Sequence, residues 1–346
     1  MRHVVVTRLA VLGTLHRVQA RAKAVAVIAE SLGLTFPRPF AADIHRAEVE
    51  LAGVIGDLYG GEEAWPAIVL VPGAAPDGKD DARIVRLARA LARAERAVFV
   101  PQLALADKRL ETSDIEALIT SVLALDARHP GPVTMLGFSY GGSFALLAAA
   151  DDRLGSSLGR VATFGAYFDL VGVAQAVTSG VSLVGGRAVP WDAHPRAREV
   201  FRLVMVEMAG PGPREDLEAA LDGRIDPAVL EDGGRAVFDF ITNDDPEQTY
   251  TLAARLPAAM VDTLRTFSPA TVADRIEADV VAIHSTDDPV VPYGEALRLE
   301  AGMPRVALET VSLFSHVNLT GGSILGRASD LLATWRFASR ILSRQE

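Results

Sequence analysis

Between residues 67 and 165 the chain alternates short, wholly apolar runs with longer stretches whose apolar positions recur every three or four residues. Ala67–Val71 has no polar side chain and ends at Pro72-Gly73, which predicts a buried strand followed by a turn. From Asp80 to Ala94 the positions Ile84, Val85, Leu87, Ala88 and Leu91 share one helical face, and Asp80 and Asp81 suit the start of that helix. Ala97–Val100 predicts a second strand, stopped by Pro101. Ser113-Asp114-Ile115-Glu116 reads as a capping box that opens a helix running to about Ala127. Val133–Leu136 predicts a third strand, a helix follows from about Ser143 to Ala150, and Arg160–Gly165 predicts a fourth strand. Upstream, Ala47–Leu58 predicts one or two strands of an antiparallel edge, bent at Gly53 and Gly56.

Strands separated by helices of this length pair in parallel through crossovers. Their continuous apolar character is expected when helices cover both faces of the sheet. The alternation stops at about Asp169. From there to Ala270 the pattern predicts helices at Val200–Ala209, Arg214–Leu221, Pro227–Phe240 and Gln248–Phe267, joined by proline-rich connections. It resumes with a strand at Val280–Ile283, a helix from about Tyr293 to Ala301, a strand at Ala307–Val311 and a final helix from about Ile324 to Ser343. The expected architecture is α/β: a mostly parallel sheet formed by residues 46–168 and 271–346, with a helical cap inserted at 169–270 and an N-terminal helical extension at 1–45. The apolar residues of the cap, among them Phe201, Met205, Phe240 and Met260, are expected mainly to pack its own helices. The cap is also expected to shape the substrate pocket.

Composition narrows the function. The 346 residues carry a formal charge of −10, which disfavours a nucleic-acid partner. There is no cysteine, and so no disulfide, thiolate metal site or cysteine nucleophile. No apolar stretch reaches the length of a membrane span. The first 29 residues are basic, with Arg2, Arg8, Arg17, Arg21 and Lys23, and Arg8 interrupts what a secretory signal would need as a clean apolar run. This segment predicts an amphipathic helix packed on the body of a cytoplasmic protein. Export through this segment is the weaker alternative, and a membrane-surface helix a third.

The strongest chemical signal is Gly137-Phe138-Ser139-Tyr140-Gly141, followed by Gly142 and set between a predicted strand and a predicted helix. So sharp a turn holds the serine in strained backbone geometry with its hydroxyl exposed, and the helix N-terminus behind it favours negative charge. A serine hydroxyl needs a base to take its proton and a carboxylate to orient that base. In this setting the chain order is serine, acid, histidine. Of the histidines after Ser139, His316 lies just past the last strand, His284 lies in a strand where a buried structural role is expected, and His194 lies in the cap. Asp287 and Asp288 follow the strand Val280–Ile283 together, and Asp169 is a more distant candidate. An oxyanion needs two backbone donors. The Tyr140 N–H is one candidate, and the Ala74 N–H, in the loop after Val71, is the other.

The pieces Leu70-Val71-Pro72-Gly73, Gly137-Phe138-Ser139-Tyr140-Gly141-Gly142, Asp287-Asp288-Pro289-Val290-Val291-Pro292 and Ser315-His316 together resemble the α/β-hydrolase superfamily. The elbow is similar to those of the dienelactone-hydrolase-like and prolyl-oligopeptidase-like branches. Many members carry His-Gly where this chain has Pro72-Gly73, a departure that touches the oxyanion loop. The resemblance implies a Ser139–His316–Asp288 triad, with Asp288 favoured by its spacing of four residues from Pro292. It implies a serine hydrolase acting on a carboxylic ester of a small-molecule acyl substrate, without metal or organic cofactor. A thioesterase, lactonase or peptidase would use the same triad. A noncatalytic binding module on the same fold is the reading from a different class. Family members with an aspartate nucleophile, the haloalkane dehalogenases and epoxide hydrolases, are disfavoured by Ser139.

Overall fold

The computed structural model describes residues 19–30, 44–61, 63, 65–107, 109–303, 305–312, 314–315, 318–319 and 324–343. Eight strands form one sheet in the order β1-β2-β4-β3-β5-β6-β9-β10. They are β1 (Arg46–Leu51), β2 (Val54–Tyr59), β3 (Ala67–Val71), β4 (Ala97–Pro101), β5 (Val133–Phe138), β6 (Leu158–Phe164), β9 (Asp279–Ser285) and β10 (Val306–Val311). The pairs β1·β2 and β2·β4 are antiparallel, and every pair from β4 to β10 is parallel. The central strands β3 and β4 are buried at every residue, as the absence of polar alternation predicts.

Helices cover both faces. The helix over residues 19–30 (α1), α2 (Ala82–Arg93) and α12 (Ile324–Leu342) contribute to one core, with Ala24, Val27, Ala88, Leu91, Phe337 and Ile341 buried against Ile68, Leu70 and Leu136. On the other face, α3 (Thr112–Asp126), α4 (Tyr140–Ala149) and α11 (Tyr293–Gly302) bury Leu118, Val122, Phe144 and Leu299 against Val69, Met135 and Val161. The expected amphipathic N-terminal helix is thus found packed on the body over its described part. Ala20, Ala24 and Val27, spaced by four and three, face inward, and the Trp335 Nε1–H donates to the Arg21 carbonyl (3.0 Å). Lys23 and Arg93 complete the docking through ion pairs with Glu95 and Glu30.

Several local expectations are corrected. The β1–β2 turn lies at Ala52 and Gly53, both at positive φ (50° and 89°), as a two-residue hairpin turn of the mirror-image kind demands. Gly56 is not a bend. It lies within β2, where a Cβ would stand 2.5 Å from the Phe99 ring and 2.6 Å from the Val100 carbonyl oxygen. The capping box does not form: α3 starts at Thr112 behind Glu111, which makes no side-chain cap bond. Asp114 instead accepts the Ala104 and Leu105 N–H groups (2.9 Å each), and Glu116 pairs with Arg153. The helix after Ser139 begins at Tyr140 rather than near Ser143.

Between β6 and β9 lie α5 (Leu170–Ser179), the hairpin β7 (Val181–Val184) and β8 (Arg187–Pro190), then α6 (Pro195–Met208), α7 (Pro211–Leu221), α8 (Asp232–Ile241), α9 (Thr249–Ala253) and α10 (Ala258–Thr266). The expected helix Gln248–Phe267 is broken, because Pro257 cannot continue one helix and serves as the N-cap of the next. Pro227–Phe240 likewise divides into a single 3₁₀ turn at Pro227–Val229 and α8. Met205, Val206, Leu217, Phe240 and Met260 pack against one another, as expected of the insertion's apolar residues.

The insertion leaves and re-enters the core at one place. The Ala270 N–H donates to the Phe168 carbonyl (2.9 Å), the Leu170 N–H to Ser268 Oγ (2.9 Å), and the Tyr167 hydroxyl to the Phe267 carbonyl (2.9 Å). Beneath these contacts, fully buried Glu295 accepts the Phe168 and Asp169 N–H groups (3.0 and 2.7 Å) and pairs with Arg298 (2.5 Å). Burial pushes its carboxyl up to about 7, against the pull of Arg298 and the two N–H groups. The folded state then holds this proton more tightly than the unfolded chain does. The contribution of Glu295 to stability is therefore complete below pH 4.5 and lost as pH rises through about 7. Melting curves are expected to show Tm falling across that window, with the slope flattened in Glu295→Gln.

Candidate active site

Strand β5 hands its chain directly to α4, and the one residue between them is Ser139. Its backbone lies at φ 50° and ψ −126°, a conformation that costs a non-glycine residue about 1–3 kcal/mol. The Ser139 N–H is held by the Phe164 carbonyl (2.8 Å), and its carbonyl accepts the Gly142 N–H (2.9 Å). The flanking glycines are steric requirements. A Cβ on Gly137 would lie 2.5 Å from the Gly141 carbonyl oxygen, and one on Gly141 only 2.1 Å from that of Pro72. Backbone atoms cannot yield as a flexible side chain can. Gly141→Ala is accordingly expected to destabilise the fold by about 3 kcal/mol in urea denaturation, the upper end of ordinary overpacking.

Tyr140 is the first residue of α4, so its N–H has no acceptor inside the helix. Its ring packs edge-on against Tyr167 with centroids 4.9 Å apart, and burial pushes both phenols up. The loop after β3 closes over the elbow. A Cβ at Gly73 would sit 3.0 Å from the Phe138 carbonyl oxygen and 3.3 Å from the Ser139 Cβ. Within this loop the Ala75 N–H is committed to the Gly73 carbonyl (2.8 Å), whereas the Ala74 N–H has no acceptor among the described residues. Ala74, Ser139 and Tyr140 line the same cavity of about 520 Å³.

Asp288 follows β9 and is 1% exposed, while Asp287 beside it faces solvent. One carboxylate oxygen of Asp288 accepts the Val290 and Val291 N–H groups (2.8 and 3.0 Å). The other lies 3.8 Å from His284 Nε2. Asp169 is engaged elsewhere: it caps α5 through the Val171 N–H (3.0 Å) and accepts the Tyr250 hydroxyl (2.6 Å). His284 is 2% exposed and also contacts the Val291 carbonyl (3.1 Å), consistent with the structural place expected for it. His194 is exposed, and its backbone N–H donates to the Pro289 carbonyl (3.0 Å). Trp191 Nε1 donates to the Asp288 carbonyl (2.6 Å), so the insertion clasps the loop that carries the acid. His316 lies outside the described residues; Phe314–Ser315 and Asn318–Leu319 on either side of it pair antiparallel.

The described walls of the cavity come from the sheet, the Pro72–Pro76 loop, the acid loop at Val290, and helices α1, α2 and α12. The insertion contributes none of the described lining of this cavity. Val27 and Ile28 of α1 were not anticipated as pocket residues. Their amphipathic spacing is legible in the chain, but the surface they face is not.

Residues 68–319 match the model of the alpha/beta hydrolase family. The chain belongs to that family. Among solved structures this hydrolase is similar to a puromycin-hydrolysing peptidase from Mycobacterium tuberculosis, with 16% identity, a TM-score of 0.51, and coverage of 90% of this chain and 41% of the other. It is also similar to an acylaminoacyl peptidase from Pyrococcus horikoshii, with 15% identity, a TM-score of 0.50, and coverage of 90% and 45%. At such identities the likeness is one of fold, and the hydrolase spans less than half the length of either peptidase. A hydrolase of 2-hydroxy-6-oxo-6-phenylhexa-2,4-dienoate from Rhodococcus sp. aligns at 18% identity and a TM-score of 0.46, over 85% of this chain and 99% of that one. Comparison with curated proteins gives no match. Among the described residues, no helix is long and apolar enough to cross a membrane.

Proposed function

We propose that this hydrolase is a serine esterase, cleaving a carboxylic ester or related acyl bond through Ser139, His316 and Asp288. The observation that carries the reading is the backbone of Ser139. A non-glycine residue held at φ 50° between a buried strand and a helix N-terminus is stored strain, and the steric demands of Gly137 and Gly141 keep it in place. In the proposed reaction His316 takes the hydroxyl proton as Ser139 Oγ bonds to the substrate carbonyl carbon. The Tyr140 and Ala74 N–H groups stabilise the resulting oxyanion. The tetrahedral adduct collapses, the bond to the alcohol breaks, and His316 gives the proton to the departing oxygen. Water, deprotonated by the same histidine, then attacks the acyl-enzyme, releasing the acid and restoring Ser139. Asp288 orients the histidine throughout. Residues 169–270 serve in this reading as a cap that fixes the acid loop through Trp191.

The test is the intact mass of the protein after exposure to a fluorophosphonate. A single adduct on the wild type and none on Ser139→Ala is the expected result. No adduct on a folded wild type would remove the nucleophile assignment and favour a noncatalytic binding role.

A further inference from the structure

We infer that the cavity beside Ser139 is the binding site for an aliphatic acyl chain, and that α1 forms one of its walls. This rests on the esterase reading above and adds the class of acid released. Packed interiors tolerate voids of about the size of a water molecule. A partly open space of about 520 Å³ between the sheet and α1, α2 and α12 is far larger, and it falls within the range of ligand pockets. Its shape follows from the residues along it. Ile84, Leu87 and Leu91 take the wall down α2 over about 10 Å at the helical rise. Ala338 and Leu342 do the same on α12, and Val27 and Ile28 close it from α1. The inner end is made by Leu91, Leu136 and Leu342, which are 2, 2 and 3% exposed.

The polar residues of the wall leave little for a charged guest. Asp81 accepts the Arg83 N–H and guanidinium (2.7–3.0 Å), and Thr334 Oγ1 donates to the Asp330 carbonyl (2.7 Å). A cavity with so apolar a lining favours an apolar guest. The chain is assigned to the acyl side of the substrate because the acyl group stays bonded to Ser139 through both steps while the alcohol departs after the first, and this cavity opens directly beside Ser139.

The test combines turnover with direct binding. Across nitrophenyl esters from acetate to decanoate, kcat/KM is expected to rise about fourfold per added methylene until the pocket fills, the factor expected for burying each one. Across octanoate esters of alcohols of increasing length it is expected to stay flat. Ala338→Phe and Val27→Trp, which put aromatic rings into the space from α12 and α1, are expected to lower the octanoyl-to-acetyl ratio at least tenfold, with retained Tm showing that they fold. In calorimetry, decanoate is expected to bind Ser139→Ala with a negative heat-capacity change, and to lose that binding in Ser139→Ala/Ala338→Phe. Equal rates for acetyl and octanoyl esters, or a dependence on the alcohol rather than the acyl chain, would overturn the inference while leaving the esterase reading intact. Decanoate binding without turnover of any ester would sink the esterase reading and keep the pocket. Absence of both turnover and binding would remove both.

Discussion

Ser139→Ala is expected to lower ester turnover by on the order of 10⁴-fold or more, the scale seen when a triad nucleophile is removed. The size follows from what is lost: with no hydroxyl, no acyl-enzyme forms, and only binding and oxyanion stabilisation remain. The companion Ser139→Gly is expected to be as inactive but more stable by about 1 kcal/mol, because glycine reaches φ 50° without strain. Activity is followed with a nitrophenyl ester and stability by urea denaturation. A glycine variant that loses stability would mean that the turn is comfortable for serine, and the elbow would no longer count as evidence of function.

Asp288→Asn is expected to cost on the order of 10⁴-fold in kcat, the scale seen when a triad carboxylate is replaced by its amide. Its double acceptance from the Val290 and Val291 N–H groups pins one oxygen, and an asparagine would place its own oxygen there. The amide nitrogen would then take the place of the second oxygen, which in the proposed triad favours the wrong imidazole tautomer. Asp287→Asn, on an exposed carboxylate, is expected to change kcat less than twofold on the reasoning for ordinary surface substitutions. If the Asp287 variant is dead and the Asp288 variant active, the acid has been assigned to the wrong residue.

The parallel sheet was legible in the chain because β3 and β4 are apolar at every residue, β3 lies between Pro66 and Pro72, and β5, β6 and β9 keep apolar runs at Met135-Leu136, Val161-Ala162 and Val280–Ile283. The elbow was legible because its glycines are demanded by backbone approaches that no other residue permits. Elements defined by partners were less so. Ser113-Asp114-Ile115-Glu116 has the composition of a capping box, yet Asp114 is drawn to the Ala104 and Leu105 N–H groups, which no local pattern reveals. The hairpin β7–β8 went unread although Gly185-Gly186 is a hairpin-turn pair, because strands of four residues are too short to show a period. Asp288 and Asp287 are identical in composition and adjacent; the spacing from Pro292 favoured Asp288 in the chain, and burial distinguishes the two in the fold. That α1 borders the cavity beside Ser139 was not legible, because an amphipathic α1 and an amphipathic α6 look alike in the chain, and tertiary docking decides which surface each one faces.

The hydrogen bonds that join Phe168 to Ala270 and Leu170 to Ser268 make the two crossings into the insertion immediate neighbours. To the sheet, the whole stretch between them is no more than a tight turn, whatever its length. Lineages could lengthen, shorten or exchange that stretch without altering the register of a single strand, and a graft cut at these two points would leave Ser139 where it stands, provided that it replaced the Trp191 bond to the Asp288 carbonyl. The described lining of the cavity lies outside that stretch. On the acyl-site proposal, the part most open to replacement and the part that takes the substrate are different pieces of polypeptide, free to diverge at separate rates.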